Sequence, residues 1–555
     1  MRVIILLLLT TTGYAQQNAY HYTVKKNITV THGAVVSAHP LASQAGVQML
    51  QQHGNAVDAA IATQLALAVV YPGAGNLGGG GFLVGHLKNG KNIAIDYREA
   101  APAMASRDMY LDKNGNADVK LSQDGHLATG VPGTIAGIYA SLPYARLPIA
   151  KLIALAITLA EKGFVITAAE AKNLNAHQEQ FKQLNTKPCA FTGTWKEGDT
   201  LVQKDLANTL KRIRDKGRAG FYEGETAKLI VEEMQRGHGL ITTADLKAYK
   251  AKERTAEVFN YKGYEIVTMP LPSSGGVALQ QLMGMVEKYP LATWGFHALQ
   301  SVQLMVEAER RAYADRAQFL GDPDFVRVPV KQLTAKAYLA ERMKDYDPKK
   351  AGSSQETKAG VVESTETTHL SVMDADGNAV SVTTTLNGGY GSKVVVGGAG
   401  FFLNNEMDDF SAKPGVPNMY GLVGAEANAI APGKRMLSSM TPSIVLKNSK
   451  PYVVAGTPGG STIITSVFQT LMNILEFNLS TEQAVNAPKF HHQWLPDEVA
   501  VEPDFPDTLT QQLKNMGYKT KTIGYIGRTE VIKINEKGQL EAVGDKRGDD
   551  SAAGY

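Results

Sequence analysis

Glu366-Thr367-Thr368-His369-Leu370-Ser371-Val372-Met373-Asp374 reads as an extended segment that opens on a reactive side chain. Leu370 and Val372 fall on one face and His369, Ser371 and Met373 on the other, and the β-branched residues favour extended backbone. A hydroxyl is a poor nucleophile, but a threonine at a chain start carries its own base, because a free α-amine has a pKa of roughly 7.7–8.0. Mid-chain, Thr367 has no such amine. The functional reading therefore requires the Glu366–Thr367 bond to be broken, most simply by attack of the Thr367 hydroxyl on the Glu366 carbonyl and hydrolysis of the resulting ester. The plain alternative is a strand and nothing more, so the surroundings decide.

Downstream, the strand turns through Asp374-Ala375-Asp376-Gly377-Asn378 and returns as residues 379–385, a hairpin expected to hold Thr367 at a sheet edge and bring Thr385 and Asn387 into its region. Residues 397–410 place amides and the carboxylates of Glu406, Asp408 and Asp409 in one short segment. The spacing lacks the alternating ligands of a calcium loop, so recognition of an ammonium group is the sharper reading. Residues 412–424 form a Pro/Gly-rich loop in which Tyr420 offers a broad side. Ser438 and Ser439 are adjacent hydroxyls suited to substrate contact or to ordinary turn bonds. Residues 451–457 read as a strand, followed by Pro458-Gly459-Gly460-Ser461 and a helix from Thr462 to Leu475, an order that can aim backbone N–H groups at an oxyanion.

Upstream, residues 344–360 are polar with little to bury and read as an exposed, mobile segment, a tether that lets the new end leave after scission. Helices are expected over 40–50 and from Asn55, the latter apolar on every face. The glycines of 72–82 lack the Lys-Ser or Lys-Thr of a phosphate loop and suit close backbone packing instead. A hairpin turns at Asn89-Gly90, and Arg98 ends its second strand as a surface cation or a carboxylate clamp. Residues 148–250 read mostly as helices, and another runs over 296–314, with Glu307, Glu309, Arg310 and Arg311 as its polar side.

The chain has 555 residues, 44% of them hydrophobic, and its 56 basic and 53 acidic side chains leave a net charge of +3, which gives no reason to expect a nucleic-acid partner. Met1-Arg2, the apolar run Val3–Leu9, and Gly13 and Ala15 form a secretory signal peptide over residues 1–15, too short to span a membrane. The mature protein is expected to be exported, and periplasmic in a two-membrane host. Cys189 is the single cysteine, so two halves produced by cleavage are held by packing alone.

Thr367-Thr368-His369, Asn404-Asn405-Glu406-Met407-Asp408-Asp409-Phe410, the stretch 432–442 with Leu437-Ser438-Ser439-Met440, and Gly456-Thr457-Pro458-Gly459-Gly460-Ser461 together resemble the γ-glutamyltranspeptidase family over nearly the whole mature chain. The resemblance implies an α+β fold, the four-layer αββα sandwich of N-terminal-nucleophile hydrolases. It also implies self-cleavage between Glu366 and Thr367 into a large subunit (16–366) and a small subunit (367–555) that form one intertwined unit. By the same resemblance Thr367 is the nucleophile and Thr385 its supporting hydroxyl. Arg98, Ser438 and Ser439 bind the substrate α-carboxylate, Asn387, Glu406 and Asp409 fix the α-amino end, and Gly459 and Gly460 furnish the oxyanion amides. Residues 408–424 resemble a lid loop with Tyr420 at its closing position, although Asn387-Gly388-Gly389 departs from a pattern that often has threonines there. The implied substrates are glutathione and other small γ-glutamyl compounds, with water, amino acids or peptides as acceptors and no cofactor or metal. The rival readings are a related acylase acting on other amides and a secreted binding protein that keeps the fold without cleavage.

Overall fold

A computed structural model describes residues 22–355, 357, 367–413, 415–416, 418–419 and 424–555. The expected signal peptide, Glu366 and Tyr420 lie outside the described residues. Two seven-stranded antiparallel sheets dominate the fold. The first runs, in order, Ser551–Gly554, Ala34–Ser37, Thr368–Met373, Ala379–Thr385, Gly80–His86, Asn92–Asp96 and Lys252–Arg254. The second runs Asn27–Val30, Leu540–Val543, Glu530–Ile534, Lys450–Gly456, Ser443–Lys447, Tyr264–Thr268 and Glu257–Tyr261.

The alternation read in the sequence sets the layers. Leu370 and Val372 join Val35, Val380 and Val382 in a core against helices Pro40–Gln51 and Ala56–Val70. Met373 joins Val36, Val84, Ile444 and Val454 between the sheets, and the second sheet packs outward on helices Ser274–Val286 and Thr462–Leu475, with Leu299–Phe319 packed against the first of these. The result is the four-layer αββα sandwich that the resemblance implies. Helix Ala56–Val70 is buried at every position, and Asn55 and Asp58 close a reciprocal capping box at its start, which satisfies N–H groups otherwise orphaned inside the protein.

Three expectations change. The strand carrying Thr368 is interior, paired on both sides, with Ala34–Ser37 and Ala379–Thr385; what frees Thr367 is that the ladder with Ala34–Ser37 stops at Leu370. Helix Leu299–Phe319 does not turn Glu307, Glu309, Arg310 and Arg311 to solvent, since all four are buried. Their polarity is met internally: Arg311 pairs with Glu307 at 2.5 Å and with Asp345 at 2.8 Å, and Arg310 holds Ser354 and Asp497. Residues 344–355 are largely exposed, as expected, but make specific contacts that composition did not suggest, with Ala351 N–H donating to Met516 O at 2.8 Å, Ser354 N–H donating to Asp497 at 2.8 Å and Gly352 N–H donating to Glu307 at 3.0 Å. Polar composition marked this stretch as having nothing to bury; part of it instead meets Glu307, Arg310 and Arg311 on the buried helix.

Candidate active site

The hairpin register sets the centre of the site. Thr368 pairs with Thr384 and His369 with Thr383, so Thr367 faces Thr385 one step further along, and their hydroxyls lie 3.4 Å apart. Thr385 Oγ1 also accepts the Asn387 N–H at 2.7 Å. Asn387 has a φ of 75°, a left-handed backbone that asparagine tolerates better than most residues, and its Nδ2 donates to Asn405 O at 3.0 Å. Behind Thr367, His369 lies between the sheets with Nδ1 2.9 Å from Thr383 Oγ1 and Nε2 3.1 Å from Ser371 Oγ. Burial holds this imidazole neutral, its pKa lowered to about 3.

A cavity beside Thr367 is walled by Arg98, Thr385, Asn387, Glu406, Asp409, Ser438, Ser439 and Gly460, with Met440 and Ile463 completing it. Residues more than 350 positions apart in sequence thus meet, because the strand ending at Asp96 delivers Arg98 and the 3-10 turn Glu406–Asp409 faces it. Gly459 lies outside this cavity and lines a second one that also includes Thr367.

Arg98 is buried and paired within the protein, with Glu406 through Nη1 and Asp409 through Nη2, while Glu99 lies 3.7 Å away. It is therefore not an open fork, as a lone clamp would be; a buried guanidinium left unpaired costs more than one neutralised by carboxylates. Although burial works against its charge, Glu406, Asp409 and Glu99 hold its pKa up. The carboxylates pay the complementary penalty: burial raises Glu406 and Asp409 above the ordinary range against the pull of Arg98, and pushes Glu99 up to about 7. One guanidinium thus faces three carboxylates whose charge is only partly offset by Arg98, and in their anionic form they can accept hydrogen bonds from an ammonium group.

Ser438 and Ser439 sit opposite. Ser438 Oγ accepts the Met440 N–H at 3.1 Å, and Ser439 Oγ accepts from Arg316 Nη2 at 3.0 Å. Arg316, on the buried helix, had no signal in the sequence beyond its helical spacing. The glycine turn is held from both sides. Gly459 O accepts from Thr462 N at 3.0 Å and Gly460 O from Ile463 N at 3.3 Å, and the Tyr313 hydroxyl reaches Ser461 O. Among the described residues, no hydrogen bond uses the N–H of Gly459 or Gly460, the state required of an oxyanion donor.

Two residues of the loop also reach the site, unanticipated from sequence. Asn418 Nδ2 donates to Asp409 Oδ1 at 3.2 Å, and Met419 N–H donates to Asp408 Oδ2 at 2.7 Å. The Met419 sulfur lies 3.6 Å from Asn387 Nδ2 and 3.5 Å from Asn405 Nδ2. A β-carbon at Gly388 would come within 3.1 Å of Met419 Cε, so the glycine that departs from the family pattern makes room for methionine.

The sequence matches the family model for gamma-glutamyltranspeptidase over residues 42–555. It is 48% identical over 535 residues to the glutathione hydrolase proenzyme of Escherichia coli (strain K12), spanning 94% of this chain and 92% of that protein. Among solved structures, Helicobacter pylori gamma-glutamyltranspeptidase covers 61% of this chain and 96% of its own at 43% identity, with a TM-score of 0.57. A cephalosporin acylase from Bacillus halodurans superposes over 98% of this chain and 99% of its own at 26% identity, with a TM-score of 0.84.

Proposed function

Because the chain belongs to the gamma-glutamyltranspeptidase family, we propose that it is a self-processing threonine enzyme that cleaves the γ-glutamyl amide of glutathione and related compounds and passes the acyl group to water, an amino acid or a peptide. The observation that carries this reading is the shared cavity: the Thr367 hydroxyl stands 3.4 Å from that of Thr385 and opens on the same space as Arg98, Glu406, Asp409 and Gly460.

Scission between Glu366 and Thr367 gives Thr367 a free α-amine. Thr367 Oγ1 then attacks the γ-carbonyl, its proton passes to that amine, and the developing oxyanion is met by the Gly459 and Gly460 amides. As the C–N bond breaks, the amine returns the proton to the leaving nitrogen and a γ-glutamyl ester remains. Water or an acceptor amine attacks the ester and restores the hydroxyl. The substrate's α-amino-acid head brings one ammonium and one carboxylate, so it exchanges into the Arg98–Glu406–Asp409 cluster without adding net charge to a buried site. Ser438 and Ser439 supply further donors for the carboxylate. Export of the mature protein, to the periplasm in a two-membrane host, is part of the same proposal.

Thr367→Ala tests it. The expected product is a folded, single uncut chain that releases no p-nitroaniline from γ-glutamyl-p-nitroanilide, whereas the parent gives two fragments on a denaturing gel. Two fragments from the variant overturn self-cleavage by this hydroxyl. The likeness to cephalosporin acylase favours a second reading, an acylase of other amides; faster turnover of glutaryl amides than of γ-glutamyl-p-nitroanilide would select it.

A further inference from the structure

Among the described residues the second cavity meets the first only at Thr367: Gly460 belongs to one and Gly459 to the other. The nucleophile thus stands in a partition. If the γ-glutamyl head occupies the first side, as proposed above, the scissile nitrogen and everything beyond it enter the second. The chemistry of that side differs. It holds two tyrosines, Tyr71 and Tyr525, the amide of Asn173 and two guanidiniums, and among the described residues no carboxylate lines it.

The two arginines are not equivalent. Arg547 is nearly buried and committed to Glu502 and Asp545, at 2.5 and 2.9 Å. Arg528 keeps 21% of its side chain exposed. Its Nε and Nη2 edge is taken by the two oxygens of Asp550, each at 3.0 Å, which fixes the plane of the guanidinium. Nη1 reaches Tyr71 Oη at 2.6 Å, and Tyr71 is itself on the cavity wall. A guanidinium has five N–H donors, and these contacts occupy three. The plane rests on Gly548, where an added β-carbon would come within 2.3 Å of Nε and 2.4 Å of Cζ.

We infer that Arg528 is a specificity-determining residue for the leaving and acceptor side, reading the free carboxylate of the amino acid or peptide whose amine is released or acylated. This rests on the γ-glutamyl reading of the first cavity and adds to it a second charge requirement, on the other side of the scissile bond. Asp550 and Tyr71 hold the fork before the ligand arrives, so little side-chain freedom is lost on binding.

The test compares glutathione with its C-terminal amide, which differ at the leaving group by a single charge, in the processed protein. The parent is expected to show a KM about tenfold lower for the acid than for the amide, the size of one charge-assisted hydrogen bond. Arg528→Gln should remove most of that preference. Gly548→Ala should do the same by displacing the guanidinium while its charge remains; the crowded atoms are the end of a flexible side chain, so this variant keeps the fold if Arg528→Gln does not. Equal KM values for acid and amide in the parent, or a preference retained by both variants, overturn the assignment while leaving γ-glutamyl cleavage intact. Release of glutamate from neither compound by the parent overturns the underlying reading as well.

Discussion

A missing β-carbon decides how His369 sits behind Thr367. At Gly456, on the facing sheet, an added Cβ would stand 2.1 Å from His369 Cε1 and 2.4 Å from Nδ1, and the ring is already fixed by Thr383 and Ser371. Gly456→Ala should therefore destabilise by about 1–3 kcal/mol, as overpacking does, and displace the strand bearing Thr367; thermal midpoint and rate of fragment appearance measure the two effects. Glu99 makes a pH-dependent prediction. With burial raising its carboxyl to about 7 beside Arg98, it is neutral below that pH and anionic above, so affinity for an ammonium-bearing substrate should improve as pH rises through about 7. Glu99→Gln should flatten that limb in a KM–pH profile, and an unaltered limb would assign it elsewhere. Thr367 was a candidate from its own chemistry, whereas Arg98, Glu406 and Asp409 were named together only through the family resemblance; the fold brings all four to one cavity. Glu99, Arg316, Asn418 and Met419 were not legible in the sequence, since each acts through a contact that only the fold creates.

Helix Leu299–Phe319 works as an internal post whose charged side is buried by the segment that follows it. Its periodicity was readable, but periodicity cannot say whether a polar face meets water or a later stretch of chain, and here Asp345 and Ser354 supply the cover. Burial alone would raise the Glu307 carboxyl, yet Arg310 and Arg311, with the Tyr518 hydroxyl, lower it from an ordinary 4.5 to about 2. A depressed folded-state value means stabilisation that is complete above about 4.5 and is lost as pH falls through about 2. Glu307→Gln removes the carboxylate shared by Arg310 and Arg311, which keep Asp497 and Asp345 as partners, and should cost about 1–3 kcal/mol near neutrality. The gap between parent and variant should narrow across that acid window in denaturant titrations; a gap independent of pH would show that Glu307 is not held ionised.

Across the whole molecule, both sheets interleave strands from the two sides of the 366–367 bond. In the first, Ala34–Ser37 lies between Ser551–Gly554 and Thr368–Met373; in the second, Ser443–Lys447 pairs with Tyr264–Thr268. Strand content and hairpins were legible from alternation and turn residues, whereas this interleaving was implied only by resemblance, because pairing between distant strands leaves no local pattern. With one cysteine in the sequence, no disulfide can join the two fragments of the proposed scission, yet they should co-elute as one species on size exclusion under reducing conditions. Separation without denaturant would contradict the shared sheets. The interleaving also gives the molecule a history. A denatured, uncut chain carries both partners of every ladder and can recover alone at any dilution. Under the proposed scission it would be two polymers that must encounter each other before either full sheet is restored, so recovery from unfolding would then depend on concentration.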